Sequence, residues 1–312
     1  MISSLHTPMT RWTQALCALA MIMASMPGVA NAMMGEKEVP RLVSFGGACA
    51  KCELSGRKLS GTRFDGANFS GASMVGSDLR DARFTGTNFS NADLSRADLS
   101  DARMTGANFS QANLSDARMQ DVQATGGVFV GANLTRGDLR NIHALGAIFA
   151  RANLNHTRFD DAALFGANLT FTDARGANFD DAEMRGANLS SGRFDQASFR
   201  DADLRGAGLS NGSFAGADFN DARFDRTNIS GADLSRAKNL SQEQVNEACA
   251  DPATKLPPGL LPRTCGRSVQ VLMFRSPPVP PVPAIPALKA VPAVPAVPAV
   301  TNRTSKFLIA LD

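Results

Sequence analysis

The 312-residue chain contains no tyrosine, one tryptophan (Trp12), three histidines and five cysteines. Three histidines are a poor supply of general bases and metal ligands. Neither sign of charge is in excess, since 32 Lys and Arg against 29 Asp and Glu leave a net charge of +3. That balance excludes a strongly basic nucleic-acid binder and a strongly acidic mimic of one. The apolar run at residues 15–26 is too short to cross a bilayer. Length alone gives a soft prior of two domains.

What is present at the N-terminus reads as a secretory signal over residues 1–32. Arg11 precedes the apolar stretch ALCALAMIMASM, Pro27 and Gly28 break any helix, and Ala30-Asn31-Ala32 has the small-x-small form of a signal-peptidase site. Cleavage after Ala30 is an alternative to cleavage after Ala32, and an uncleaved interfacial anchor is an alternative to both. Export to the periplasm is the expected address. At the other end, residues 276–312 form a tail rich in Pro, Ala and Val. Nine of the 16 prolines fall between 277 and 298. Such a run favours the extended polyproline conformation, has little means of burying a core and is expected to be disordered.

Between the ends lies a repeat. Every fifth residue from Leu54 to Leu234 gives 37 positions, of which 15 are Leu, 14 Phe, 4 Met and 1 Ile, with Ala124, Ala144 and Ala174 as exceptions. Two residues before each, Ala stands at 23 of the 37 and Gly, Ser, Thr or Cys at 11 more. Period 3.6 would smear the large residues around a helix, and period 2 would alternate them across a strand. A five-residue unit with two inward positions and turn-prone residues between them suits a coil that bends once per unit.

A spacing of 20 residues sets the cross-section. One column reads Phe69, Phe89, Phe109, Phe129, Phe149, then Leu169, Leu189, Leu209 and Ile229. The column two units away reads Leu59, Leu79, Leu99, Met119, Leu139, then Phe159, Phe179, Phe199 and Phe219. One Phe opposite one aliphatic residue conserves interior volume if four units make a square turn. Val122 and Ile142 stand at normally small inward positions, beside the space that Ala124 and Ala144 leave.

These units, as in Ala107-Asn108-Phe109-Ser110, resemble the pentapeptide-repeat family, whose unit is A-[DN]-L-x-x. The resemblance covers 54–234 and looks like a secreted bacterial member. It implies an all-β fold: a right-handed quadrilateral β-helix over 54–237, about nine turns and ~45 Å long at ~4.8 Å per turn. A solenoid of this kind needs capped ends. Residues 33–53, with Val39, Leu42, Val43 and Phe45, are the expected N-terminal cap. Residues 238–275 are the expected C-terminal cap, with a helix at 242–250 behind the capping box Ser241-Gln242-Glu243-Gln244 and a possible strand at 269–274. In an oxidising compartment the four mature cysteines favour two disulfides. Along such a rod only Cys49–Cys52 and Cys249–Cys265 bring partners close enough, unless the C-terminal segment folds back.

No catalytic group, cofactor site or metal site stands out. His143 and His156 are 13 residues apart and so do not stack on a 20-residue turn. The outward positions break their polar rule at Val128, Val130, Leu145, Ile148, Phe165 and Phe171, within turns four to six and near one corner. An exposed apolar cluster of this kind marks a candidate interface. The column Arg63, Arg83, Arg103 is a short basic stripe diluted by Asp65 and Asp81. The expected function is that of a non-enzymatic, exported interaction or structural module, with an unidentified protein partner and no nucleic-acid or small-molecule ligand. The alternative follows from the resemblance: some family members mimic duplex DNA and protect type II topoisomerases. Between 54 and 234 there are 22 acidic and 19 basic residues, a weak excess for a mimic of one charge per ~1.7 Å.

Overall fold

The computed structural model describes residues 47–264. The signal segment, the residues Val39 to Phe45, the 269–274 segment, the Pro-rich tail and Cys265 lie outside the described residues.

Each pentad makes one side of a coil. From Ala48 onward, every fifth residue forms a parallel bridge with the residue 20 further on, through Asp218 with Lys238. The result is a solenoid with four stacked walls. Wall 1 carries the rungs Glu53, Ser73, Asp93 and Asn113; wall 2 carries Lys58, Asp78, Asp98 and Arg118. The basic stripe Arg63, Arg83, Arg103 lies on consecutive rungs of wall 3, and Asn68, Asn88, Asn108, Val128, Ile148 and Asn168 line wall 4.

The backbone accounts for itself in units of five. The Phe109 amide donates to the Val128 carbonyl at 2.7 Å in one neighbouring coil, and the Asn108 amide to the Thr87 carbonyl at 2.9 Å in the other. The Ala112 amide donates back to Phe109 at 3.0 Å and closes the corner. Two residues after each central side chain the backbone turns left-handed, as at Asn91, Asp101 and Gly106 (φ 58°, 61° and 64°). Gly, Asn and Asp tolerate that region best, which is why the corners draw on them.

The interior is filled by the central residue and the small residue before it. From Ala67 to Leu234 both are buried, including Ala124, Ala144, Val122 and Ile142. The rings of Phe69, Phe89, Phe109, Phe129 and Phe149 stack in register, with Phe89 and Phe109 centroids 4.9 Å apart and 8° from parallel. Phe149 then meets Phe159 edge-on at 5.7 Å, where the stack crosses to the facing column. It continues there through Phe179, Phe199 and Phe219. Adjoining columns add Phe64 and Phe84 beside Phe69 and Phe89, Phe194 and Phe214 beside Phe199 and Phe219, and Phe224 beside Phe219. Glycines make the room. A Cβ on Gly192 would lie 2.5 Å from the Phe194 ring, and one on Gly212 2.7 Å from the Phe214 ring.

The coil starts one pentad before Leu54. Cys49 occupies a central, buried position, because a cysteine side chain is small and apolar enough to face inward. It is bonded to Cys52, with Cα atoms 5.3 Å apart. Cys249 is also disulfide-bonded. Past Leu234 the helix α1, Gln242–Glu247, takes the place of the next pentad. Its capping box is complete, with the Ser241 hydroxyl accepting from the Gln244 amide and the Gln244 side chain accepting from the Ser241 amide. Gln244 also donates to the carbonyls of Phe219 and Ala222 at 2.9 and 2.8 Å, the second of which no further coil reaches. The helix is shorter than 242–250, because Cys249 returns to the ladder as the partner of Asn228.

Candidate functional site

The outward side chains show what an ordinary wall looks like here. On wall 1, Asn113 donates to Asp93 at 3.1 Å and Asn133 to Asn113 at 3.2 Å, one rung to the next. Elsewhere Arg and Asp pair two residues apart or one coil apart, as in Arg140–Asp138 (2.8 Å), Arg205–Asp203 (2.6 Å) and Arg136–Asp116 (2.7 Å). Arg205 holds the Asp203 carboxyl below its ordinary range against the opposing effect of burial. Burial is the largest influence on Asp138, yet Arg140 and Gln120 together outweigh it and lower that carboxyl too.

Wall 4 starts in the same way. Asn88 donates to Asn68 at 3.2 Å and Asn108 to Asn88 at 3.4 Å. The ladder then breaks at Val128 and Ile148, which are bridged to each other, before asparagine returns at Asn168 and Asn188. Both edges of the wall change at the same height. On the edge toward wall 3, Leu145 and Phe165 occupy adjacent coils and are 41% and 52% exposed. On the edge toward wall 1, Val130 is half-buried and Phe171 is 59% exposed. The six apolar residues therefore spread across one wall and both its edges, rather than gathering at one corner. A five-residue unit puts a full wall between the residues after successive central positions.

Each exposed ring has a guanidinium over it. Arg151 lies 5.5 Å from the Phe171 centroid and Arg185 lies 5.9 Å from that of Phe165. Phe171 also adopts the left-handed conformation, φ 57°. A bulky side chain there is an outlier that costs about 1–2 kcal/mol. Such strain concentrates at functional positions.

A second feature escaped the sequence reading. On the edge between walls 2 and 3, Asp161, Asp181, Asp201 and Asp221 stack in consecutive coils, all with positive φ. Burial, followed by repulsion from Asp201 and Asp161, pushes the Asp181 carboxyl up. Tabulating charge at the 20-residue spacing would have found the column.

Among the described residues the two histidines lie apart. His143 is a rung of wall 3, while His156 lines a shallow hollow with Asn155, Arg175, Arg193 and Asp195. Among the described residues no group of three or more His, Cys, Asp or Glu is placed to hold a metal ion. No helix among them is long and apolar enough to cross a membrane.

The family model for pentapeptide repeats (8 copies) matches residues 49–86, 82–121, 128–164, 162–201 and 202–238. No curated protein sequence matches the chain. Among solved structures, the chain is similar to HetL, a pentapeptide repeat protein involved in heterocyst differentiation regulation from the cyanobacterium Nostoc. The identity is 23% over 74% of this chain and 100% of that one, with a TM-score of 0.31. A pentapeptide repeat protein from the Arabidopsis thaliana thylakoid lumen is 27% identical over 36% of this chain and 74% of its own, with a TM-score of 0.32. QnrB1, a plasmid-mediated fluoroquinolone resistance protein, is 20% identical over 66% and 93% of the two chains, with a TM-score of 0.30. With the repeat model matched along most of the described coil, the chain belongs to the pentapeptide-repeat family.

Proposed function

We propose that this protein is an exported, non-enzymatic interaction module of the cell envelope, and that wall 4 between Val128 and Phe171 is its contact surface. In this reading residues 1–32 direct export to the periplasm, and the coil is a right-handed rod of about nine turns closed at both ends. The Pro-rich tail acts as a spacer. The observation that carries the proposal is the coincidence on one wall of a broken asparagine ladder, three exposed apolar side chains and a strained aromatic residue.

The test is site-specific photo-cross-linking in intact envelopes. A benzophenone side chain replaces Phe165 in one variant and Ser115, half a coil from wall 4, in another. Adducts at position 165 and none at 115 are expected. Equal labelling at both, or none at 165, would remove wall 4 from consideration. Recovery of the protein in the cytosolic fraction would remove export.

A second reading, a mimic of duplex DNA acting on type II topoisomerases, draws on the stacked edge Asp161 to Asp221. Arginines bonded to carboxylates on the neighbouring walls weigh against it. Protection of gyrase supercoiling by the purified chain at low micromolar concentration is the outcome that would favour it.

A further inference from the structure

Wall 4 differs from the other walls in charge as well as in apolar surface. Its middle coils with both edges are residues 85–91, 105–111, 125–131, 145–151, 165–171, 185–191 and 205–211, and its end coils 65–71 and 225–231 carry Asp65 and Asp225. None of the seven middle stretches contains Asp or Glu, and their charged residues are Arg151, Arg185 and Arg205. Arg205 is bonded to Asp203 on wall 3 and Arg185 pairs more loosely with Asp203 (3.5 Å) and Glu183 (3.8 Å) there, whereas Arg151 has no carboxylate partner among the described residues. Half a coil away, wall 2 and its edges carry Asp98, Asp101, Asp138, Asp161, Asp181 and Asp201. Through the middle seven coils the cross-section is therefore dipolar, with a carboxylate-rich wall behind a carboxylate-free one.

A wall facing only water has no reason to exclude carboxylates, and the other three do not. Contact with an extended anionic surface supplies a reason, because each facing carboxylate would be repelled and each arginine attracted. The apolar groups choose among anionic surfaces. A phosphate backbone gains nothing from Val128, Ile148 or Leu145. A bilayer offers anionic headgroups and, just beneath them, a boundary that accepts aliphatic and aromatic side chains. Two exposed phenylalanines, one on each edge and each with an arginine above its ring, suit both layers at once.

We propose that wall 4 lays the rod lengthwise on an anionic lipid bilayer. Leu145, Phe165 and Phe171 enter the headgroup–acyl boundary, Arg151 and Arg185 meet lipid phosphates, and wall 2 faces away. This rests on the reading of wall 4 as the contact surface and names what it contacts.

The test uses the full chain carrying Trp12→Phe, which removes the native indole. An indole is then introduced by Phe165→Trp or, half a coil away, by Ser115→Trp. Vesicles of equimolar phosphatidylglycerol and phosphatidylcholine with brominated acyl chains act as quencher. Quenching is expected at 165 and not at 115, and is expected to fall sharply with pure phosphatidylcholine. In the Phe165→Trp background, Arg151→Ala and Arg185→Ala should each weaken vesicle binding about fivefold. No quenching at 165, equal quenching at 115, or indifference to phosphatidylglycerol would overturn the proposal. So would a Phe165-dependent doubling of molecular mass in solution, which assigns the wall to a second copy. Protein adducts at 165 in envelopes without vesicle quenching would overturn the lipid contact and keep wall 4 as an interface. Loss of both would end both.

Discussion

At the scale of single residues, side-chain volume is traded within one pentad as well as across the coil. Phe194 and Phe214 fit because Gly192 and Gly212 precede them, where most pentads carry Ala. Gly212→Ala should destabilise the rod by about 1–3 kcal/mol through overpacking. Phe214→Leu in the same chain should recover much of that loss, and urea midpoints of the two single variants and the double variant measure the coupling. An additive result would mean that the two sites do not share the space. Phe171 gives the opposite expectation. Phe171→Gly removes a strained corner and should raise stability by about 1 kcal/mol while weakening whatever contact wall 4 makes. A less stable variant would show that the ring supports the coil instead. Both Phe171 and the two glycines are plain in the sequence. Their meaning is not, because corner conformation and ring placement come only with the backbone.

At the scale of elements, the walls are held by backbone ladders and dressed by Arg–Asp pairs that respond to pH. Asp78 and Asp203 are lowered chiefly by the arginines bonded to them, Arg80 and Arg205. A carboxyl lowered in the fold contributes stability that is complete above its unfolded value, near ~4. That stability is lost as pH falls through the folded value. Asp181 has the reverse sign, since its folded value is raised and its ionisation opposes folding at neutral pH. Asp181→Asn should therefore stabilise the rod at pH 7, and the gain should vanish in acid below the ordinary aspartate value. Urea midpoints at the two pH values check this, and a gain that persists in acid would contradict it.

Helix α1 makes a separate prediction at this scale. Gln244→Leu leaves the carbonyl of Ala222 without a donor and that of Phe219 with the Ala222 amide alone, and should cost about 1–3 kcal/mol. Faster amide exchange should appear in the last coil before it appears near Phe109. Uniform exchange along the rod would show that the helix is not what closes this end. The capping box was legible from Ser241 and Gln244. The helix's early stop was not, because the ladder that reclaims Cys249 is set by Asn228, 21 residues earlier.

Across the whole molecule, the five- and twenty-residue spacings carried the fold, since inward positions tolerate only a narrow range of volumes. The coil runs one pentad further back than the Leu and Phe spacing indicates, because Cys49 takes a central position that the spacing reserves for larger residues. The six apolar exceptions were legible as breaks in a polar rule, but the absence of carboxylates around them was not. An absence emerges only when residues 20 apart are sorted onto walls. The molecule joins a fold that follows one rule with a single wall that departs from it, and the departure carries the functional claim. The most direct measurement restores the rule there, with Val128→Asn, Ile148→Asn, Leu145→Ser, Phe165→Ser and Phe171→Gly combined in one chain. The expected result is a urea midpoint at or above that of the parent, with cross-linking from a benzophenone at position 130 on the same wall abolished. A variant that unfolds more easily than the parent and still engages its contacts would contradict the claim.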